Sequence, residues 1–126
     1  MSIATEQLIS ALVALTQEEK ISWSLSGPRR GILFDEGIVN GHVYESNING
    51  KEVLLFRYTY EYSDEFERIQ RDYSFRLTVL DGGGVSETEI DDKYSLWTLY
   101  DIVRESCHNV AEWADEVIKS AKKING

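Results

Sequence analysis

The spacing of apolar residues divides the chain into a helical beginning, a strand-rich middle and a helical end. Six large apolar residues recur at helical intervals within residues 3–15, which predicts an amphipathic helix. Over residues 21–25 apolar residues alternate with serines, a pattern typical of a strand. Helical spacing returns at residue 96 and continues to 121 in steps of four and three residues. This order predicts an α+β fold.

Turn signals subdivide the middle of the chain. Asn-Gly pairs stand at 40–41 and 49–50, each between strand-like segments. Asn-Gly is the strongest short hairpin signal, because both central residues of a type I′ turn need positive φ. Residues 31–62 are therefore predicted to form three strands joined by two tight turns, and the glycines at 82–84 mark another turn. We expect an antiparallel meander of five or six strands with the terminal helices on one face.

The segment 51–80 is predicted to be one long β-hairpin with a four-residue loop at 63–66. In that register opposite charges lie directly across from each other, and such cross-strand pairs stabilise a sheet. A shift by one residue would move the side chains of one strand to the other face. The predicted charge pairs are Arg57 with Asp72 and Glu61 with Arg68.

The tip of this hairpin is predicted to project as an arm. The neighbouring strand, expected over 42–48, is too short at about 3.3 Å per residue to reach beyond Tyr58. Apolar side chains on a projecting element mark an interaction site or a contact between subunits. The residues expected to form this partner or dimer interface are Tyr58, Tyr60, Tyr62, Phe66 and Ile69. Cover by the chain's own long helix is the alternative.

The long C-terminal helix is expected to pack its apolar stripe on the sheet, with a possible break near 107–109. A coiled-coil contact with a partner helix is the other interpretation of that stripe. The segment that leads into this helix and includes its first part is strongly acidic, because residues 81–116 hold ten acidic and two basic residues. The acidic partner surface is predicted at Asp101, Glu105, Glu112 and Glu116.

Composition and charge limit the classes of partner. The chain has 126 residues with 22 acidic and 13 basic side chains, and residues 1–126 are expected to form a single domain. Its net charge of −9 disfavours direct nucleic-acid binding and favours a protein partner with a basic surface; a simple solubility coat is the alternative. The start of the chain lacks a basic signal-peptide region, and no apolar run is long enough for a membrane span. A single cysteine favours a reducing compartment, so we expect a cytoplasmic protein that does not bind membranes.

Few side chains suggest chemistry. His108 follows Cys107 directly, but adjacent helical residues point about 100° apart, so they do not form a nucleophile–base pair. His42 has no nucleophile beside it in the sequence pattern, and the chain holds too few Cys and His residues for a zinc site. No catalytic residue, metal or cofactor is therefore predicted. Arg29 and Arg30 form a basic island that suits a phosphate or carboxylate.

The whole pattern resembles small uncharacterised helix–β-meander–helix proteins of bacteria and phages, some of which are inhibitors or immunity-type factors. The resemblance rests on architecture: a short helix, a meander with Asn-Gly pairs and a long amphipathic helix. With this resemblance, the missing catalytic set, the acidic helix and the tyrosine arm predict a non-enzymatic accessory or inhibitory protein, encoded by a phage or mobile element, which binds a macromolecular partner. The apolar face of the arm predicts a homodimer. The alternative hypothesis is a binder of a small anionic, nucleotide-like ligand at a dimer interface.

Overall fold

A computed structural model describes residues 3–26, 33–34, 37–81, 86–108 and 110–125. It confirms the α+β architecture, with an N-terminal helix, an antiparallel meander and a long C-terminal helix that is divided near residue 109. The elements are α1 (Ile3–Gln17), β1 (Ser24–Ser26), β2 (Leu33–Phe34), β3 (Gly37–Ile48), β4 (Lys51–Ser63), β5 (Ile69–Leu80), β6 (Ser86–Asp91), α2 (Lys93–His108) and α3 (Val110–Asn125).

The sheet is antiparallel throughout its described pairs, in the order β1-β3-β4-β5-β6. β2 also pairs with β3, alongside β1. From β3 onward each strand pairs with the next one in the chain, as a meander requires. The short connections keep these contacts local, and the expectation of five or six strands is confirmed.

Only one of the two Asn-Gly pairs forms a turn between strands. Asn49 and Gly50 have φ of 51° and 83°, as a type I′ turn needs, and they join β3 to β4. The turn predicted at Asn40-Gly41 is wrong, since β3 runs without interruption through these residues. The pairing with β4 instead shifts between Asn40 and Val43, and Gly41 has φ of 85°. A left-handed glycine serves a β-bulge as well as a turn, so the dipeptide alone does not separate the two.

The 51–80 hairpin is present, but its predicted register is wrong by three residues. Glu61 lies opposite Arg71 rather than Arg68, and Ser63 lies opposite Ile69. The loop is longer than predicted because Asp64 and Arg68 close it through a hydrogen bond from the Asp64 amide to the Arg68 carbonyl, at 3.0 Å. The observed register still pairs opposite charges, so charge pairing by itself could not select it.

An odd shift turns the side chains of β5 to the other face of the sheet. Phe75 and Leu77 therefore lie on the same face as Leu55, beneath the helices, and not on the face of Tyr58. The reason is burial, because this register places two large apolar side chains of β5 in the core. The core members from the sheet are Tyr44, Val53, Leu55, Phe75, Leu77 and Ile90.

α1 and α2 cover this face of the sheet. They contribute Ile9 and Leu12 from α1, and Leu96, Leu99 and Val103 from α2. Asp92 is the N-cap of α2, since its carboxylate accepts hydrogen bonds from the amides of Tyr94 and Ser95. None of the described helices is long and apolar enough to cross a membrane.

α3 does not continue this packing. In the part of the chain that the structure describes, no helix or strand packs along it. The expectation that the whole C-terminal stripe covers the sheet is therefore right for α2 and wrong for α3. The contacts of the C-terminal stripe with α1 and β5 are made by α2.

Candidate functional site

The hairpin arm extends beyond both neighbouring strands. Pairing between β3 and β4 ends at Ile38 opposite Thr59, and β6 pairs with β5 only from Arg76 onward. Over residues 60–73 the two strands of the arm therefore have only each other as described strand partners. An isolated two-stranded ribbon is marginal in water, so the arm needs additional contacts to hold its shape.

Asp64 supplies such contacts at the tip. Its Oδ1 accepts hydrogen bonds from the backbone amides of Phe66 and Arg68, at 2.8 and 2.9 Å. Its Oδ2 accepts from Nε of Arg68 and Nε2 of Gln70, both at 3.1 Å. These bonds, led by that from the Arg68 amide, lower the pKa of the Asp64 carboxyl below its usual value. The carboxylate thus ties the loop to the strand that leaves it.

The tip exposes large apolar side chains. Phe66 is 68% exposed and Ile69 is 72% exposed, and Tyr62 at the end of β4 is also exposed. The Arg68 guanidinium lies 5.0 Å from the centroid of the Phe66 ring. A cation at this distance from an aromatic ring favours one orientation of both groups. The apolar groups therefore project from a loop whose backbone is held by its own hydrogen bonds.

The tyrosines of β4 form a ladder from the tip towards the sheet. The ring centroids of Phe56, Tyr58, Tyr60 and Tyr62 are 6.4, 5.9 and 6.2 Å apart in succession. Exposure falls from Tyr62 through Tyr60 to Tyr58, which is only 5% exposed. Tyr58 is therefore a buried residue of the arm's base. Ile69 lies opposite Ser63, on the other face from the tyrosines, so the five predicted interface residues do not share one apolar face.

A polar network anchors the base of the arm to β6. The hydroxyl of Tyr58 donates a hydrogen bond to the carboxylate of Asp91, which also accepts from the Ser74 hydroxyl at 3.1 Å. The Arg76 guanidinium donates to the same carboxylate from two nitrogens, at 2.9 and 3.2 Å. Burial, followed by the bond to Asp91, raises the pKa of Tyr58 to about 12. The network fixes Tyr58 in place.

The other face of the arm is attached to the start of α2. The Tyr73 ring lies 4.2 Å from the Arg57 guanidinium carbon and 4.1 Å from the ammonium of Lys93. Lys93 also donates to Asp72 at 2.8 Å, and this bond lowers the pKa of the Asp72 carboxyl. The arm is thus anchored near its base on both faces, while its tip remains free of such contacts among the described residues.

The predicted acidic surface is distributed over two helices. Asp101 and Glu105 are exposed on α2, and Asp101 forms an ion pair with Arg104 at 3.2 Å. Glu116 is exposed on α3, whereas the side chain of Glu112 lies outside the described residues. Arg29 and Arg30, predicted to contact an anion, also lie outside them. The structure therefore brings only Asp101 and Glu105 together as neighbours on one helix.

A cluster that sequence reasoning missed joins β3 to the end of α2. Tyr44 Oη lies 3.0 Å from Nε2 of His108, and the rings of His42 and His108 are 5.2 Å apart between centroids. Burial raises the pKa of Tyr44 well above its usual range. Nδ1 of His42 is buried with no hydrogen-bond partner in the described structure. Alternate positions 42 and 44 point to one strand face, but nothing in the sequence indicates His108 as their neighbour.

Cys107, next to this cluster in the chain, packs against the hydrophobic core. The Cys107 thiol donates to the Trp23 carbonyl at 3.4 Å, and burial raises its pKa, so the unreactive thiol form is favoured at neutral pH. Within the described ranges no group of three His, Cys, Asp or Glu side chains is arranged to hold a metal ion. Among the described residues, no third side chain therefore joins His42 and His108 to complete a metal site.

A cleft of about 1240 Å³ lies beside the cluster, between the end of α1 and the second half of α2. Trp23 and Ile21 contribute apolar surface, and Arg104, Glu105 and His108 contribute polar groups. This mixed lining could accommodate a small polar molecule or a side chain of another protein.

No protein-family model, curated protein or solved structure matches this chain.

Proposed function

We propose that this chain is a non-enzymatic binding protein that contacts a protein partner through the tip of its β4–β5 arm. The observation that carries the proposal is the combination, at one hairpin tip, of exposed Phe66 and Ile69 with the four side-chain hydrogen bonds of Asp64. Exposed apolar groups on a projecting element favour a contact surface. Occupying the partner's surface in this way is also the simplest means of inhibiting it.

The rigidity of the tip supports this function energetically. Association costs the free energy of ordering loops and side chains, and a loop already held in one conformation avoids part of that cost. Aromatic side chains at the centre of an interface contribute most of the binding energy in many complexes. Phe66 is the exposed aromatic residue of the loop itself, so we assign it as the main anchor. Tyr62 and Ile69 are further exposed apolar side chains, at the ends of the two strands that flank the loop.

The charge around the tip favours a partner with a basic surface. Glu65 and Glu67 are exposed on either side of Phe66. Together with the net charge of −9, they should accelerate encounter with a basic protein. The association rate should then fall as salt rises past about 0.15 M, where screening acts over about 8 Å. Asp101 and Glu105 on α2 add to the same field.

Site-specific photo-crosslinking in the native host tests the proposal. A photoreactive phenylalanine analogue at position 66 should give a discrete crosslinked adduct with a protein partner. The same analogue at Gln7, an exposed position on α1, is the matched control and should not give that adduct. The change Ile69→Asp, combined with the probe at 66, should reduce the yield of the adduct at least fivefold.

The melting temperature of each variant must match that of the parent, because the tip side chains are exposed and contribute little to folding. An equal pattern of adducts from positions 66 and 7 would contradict the proposal. So would an adduct from position 66 that survives Ile69→Asp unchanged.

A small-ligand function is the second candidate, and the cleft beside Trp23 is the observation that favours it. The cleft is large enough for a small molecule, and Arg104 on its border could pair with an anionic group. Native mass spectrometry of protein purified from its host would then show a ligand mass above 14.4 kDa. That mass should disappear in the variant Arg104→Ala and remain in the tip variant Phe66→Ala.

A further inference from the structure

α3 has an apolar stripe that the rest of the described chain leaves uncovered. Trp113, Val117 and Ile118 are 62%, 47% and 53% exposed, and they lie on one side of the helix together with Ala114 and Ala121. Helical residues three and four apart are neighbours on the helix surface, so these side chains form one continuous patch. A contiguous apolar patch on an otherwise charged helix marks a contact surface.

The chain's own α2 is poorly placed to cover this stripe. Only residue 109 separates the end of α2 from the start of α3. Two helices packed antiparallel to each other need a connection of about two to five residues. α3 therefore cannot fold back along α2 while both helices keep their observed bounds. The occupant of the stripe has to come from outside this helix pair.

We propose that the stripe binds α3 of a second copy of this chain, with the two helices antiparallel. The distribution of charges along α3 favours a second copy of the same helix, in the antiparallel direction. Asp115 and Glu116 lie in its first half, whereas Lys119, Lys122 and Lys123 lie in its second half. A parallel pair would place acid beside acid and base beside base, while an antiparallel pair opposes unlike charges.

The positions of the charges also define where the helices cross. In an antiparallel pair that crosses near Ile118, Asp115 of one copy lies level with Lys122 of the other. On a helix with 100° per residue, these two positions lie on the same flank of the stripe, about 20° apart. Lys119 forms an intrachain pair with Asp115 at 3.3 Å, but both side chains are largely exposed, so this pair can be exchanged.

The area of the stripe suits a reversible dimer. A fully buried tryptophan removes up to about 250 Å² from water, so the exposed part of Trp113 alone represents roughly 150 Å². With Val117 and Ile118, two copies would bury on the order of 600 Å² of apolar side-chain surface, and flanking polar atoms would add to it. The apolar area of the stripe is smaller than the total of about 1,200–2,000 Å² that specific interfaces usually bury. We therefore expect a weak dimer that dissociates in the micromolar range.

Light scattering and sedimentation of the full chain provide the first test. At about 100 μM the protein should have roughly twice the monomer mass of 14.4 kDa, and Val117→Asp with Ile118→Asp should return it to the monomer mass. The arm variant Phe66→Asp with Ile69→Asp should remain dimeric. This control distinguishes dimerisation through α3 from partner binding through the arm, because either contact can exist without the other.

Disulfide exchange between two single-cysteine proteins tests the direction and does not depend on the acidic variant folding. In a Cys107→Ser background, one protein carries Asp115→Cys and the other Lys122→Cys. When the two are mixed and oxidised, the mixed 115–122 disulfide should exceed either symmetric disulfide at least threefold. A wild-type monomer at 100 μM, a dimer that persists in the stripe variant, or a preference for symmetric disulfides would overturn the proposal.

Discussion

The carboxylate of Asp91 is expected to be the most sensitive polar group in the sheet. It accepts hydrogen bonds from Tyr58, Ser74 and two nitrogens of Arg76. The side chain of Arg76 is only 10% exposed, and that of Asp91 is 35% exposed. The change Asp91→Asn keeps the shape and one acceptor oxygen, but it removes the charge that compensates a nearly buried guanidinium.

The size of the loss follows from this burial. Removing one partner of a fully buried ion pair costs about 3–5 kcal/mol. Here the acid is partly exposed, and Glu89 lies 3.8 Å from the same guanidinium and compensates part of its charge. We therefore expect Asp91→Asn to lower the free energy of unfolding by about 2 kcal/mol. The matched control is Asp101→Asn, which removes the charge from a half-exposed pair and should cost less than about 0.5 kcal/mol.

The free energy of unfolding of both variants is measured by urea titration, monitored by circular dichroism. An unchanged dependence of that free energy on urea concentration confirms that the unfolded states are comparable. A double-mutant cycle with Arg76→Met should give a coupling energy of at least about 1 kcal/mol between the two positions. Two results would contradict this reasoning: a loss of unfolding free energy in Asp91→Asn no larger than that in Asp101→Asn, or a double-mutant cycle without coupling. Either would show that the Asp91 carboxylate does not stabilise the base of the arm through Arg76.

Three further changes test other parts of the fold. The pKa of Tyr58 is raised to about 12 in the folded protein, so its contribution to stability is complete below pH 10 and is lost as the pH rises towards 12. The free energy of unfolding, measured with urea, should therefore decline between pH 10 and 12. In the variant Tyr58→Phe this decline should be shallower by up to about 1.4 kcal/mol per pH unit. Glu67 is exposed with φ of 60°, so Glu67→Gly should raise the free energy of unfolding by about 0.5–1 kcal/mol, and a loss in thermal or urea unfolding would show that the turn is not strained. A Cβ on Gly37 would lie 2.3 Å from the Thr59 carbonyl oxygen, so Gly37→Ala should cost about 2 kcal/mol, and a neutral effect would mean that β3 and β4 separate easily at this point.

Local patterns determined the elements of this protein. The helical and alternating periods correctly indicated α1, the long β4–β5 hairpin and the C-terminal helix with its break near residue 109. The turn at 49–50 could also be predicted, because its positive φ values favour Asn-Gly whatever surrounds it. These features depend on residues that are close in the chain, so the sequence contains their main physical cause.

The register of the arm depended on a contact that the local pattern does not contain. Both the predicted and the observed registers pair opposite charges at the surface, and such pairs differ little in energy. The observed register gains the burial of Phe75 and Leu77 beneath α2. That gain is visible only once the helix is known to lie on that face. Tyr58 lies on the opposite face, and its hydrogen bond to Asp91 of β6 places it at the base of the arm.

The candidate site was predicted in part. Phe66 and Tyr62 follow from the position of the hairpin tip, but the role of Asp64 required the loop geometry that its hydrogen bonds define. The cluster of Tyr44 and His108 was not predictable, because 64 positions separate these residues in the chain. Their contact exists only after α2 has packed across the sheet.

The apolar stripe of the C-terminal helix distinguishes most clearly what the sequence determines from what the tertiary structure determines. Its period is a property of the sequence, and it establishes that one side of the helix must leave water. Which surface covers that side is a property of the assembled fold. α2 packs against the sheet and buries Leu96, Leu99 and Val103, whereas no described helix or strand packs along α3 and Trp113 stays exposed. Periodicity specifies that a face is apolar, and only the packing of the folded chain determines whether the same chain covers it.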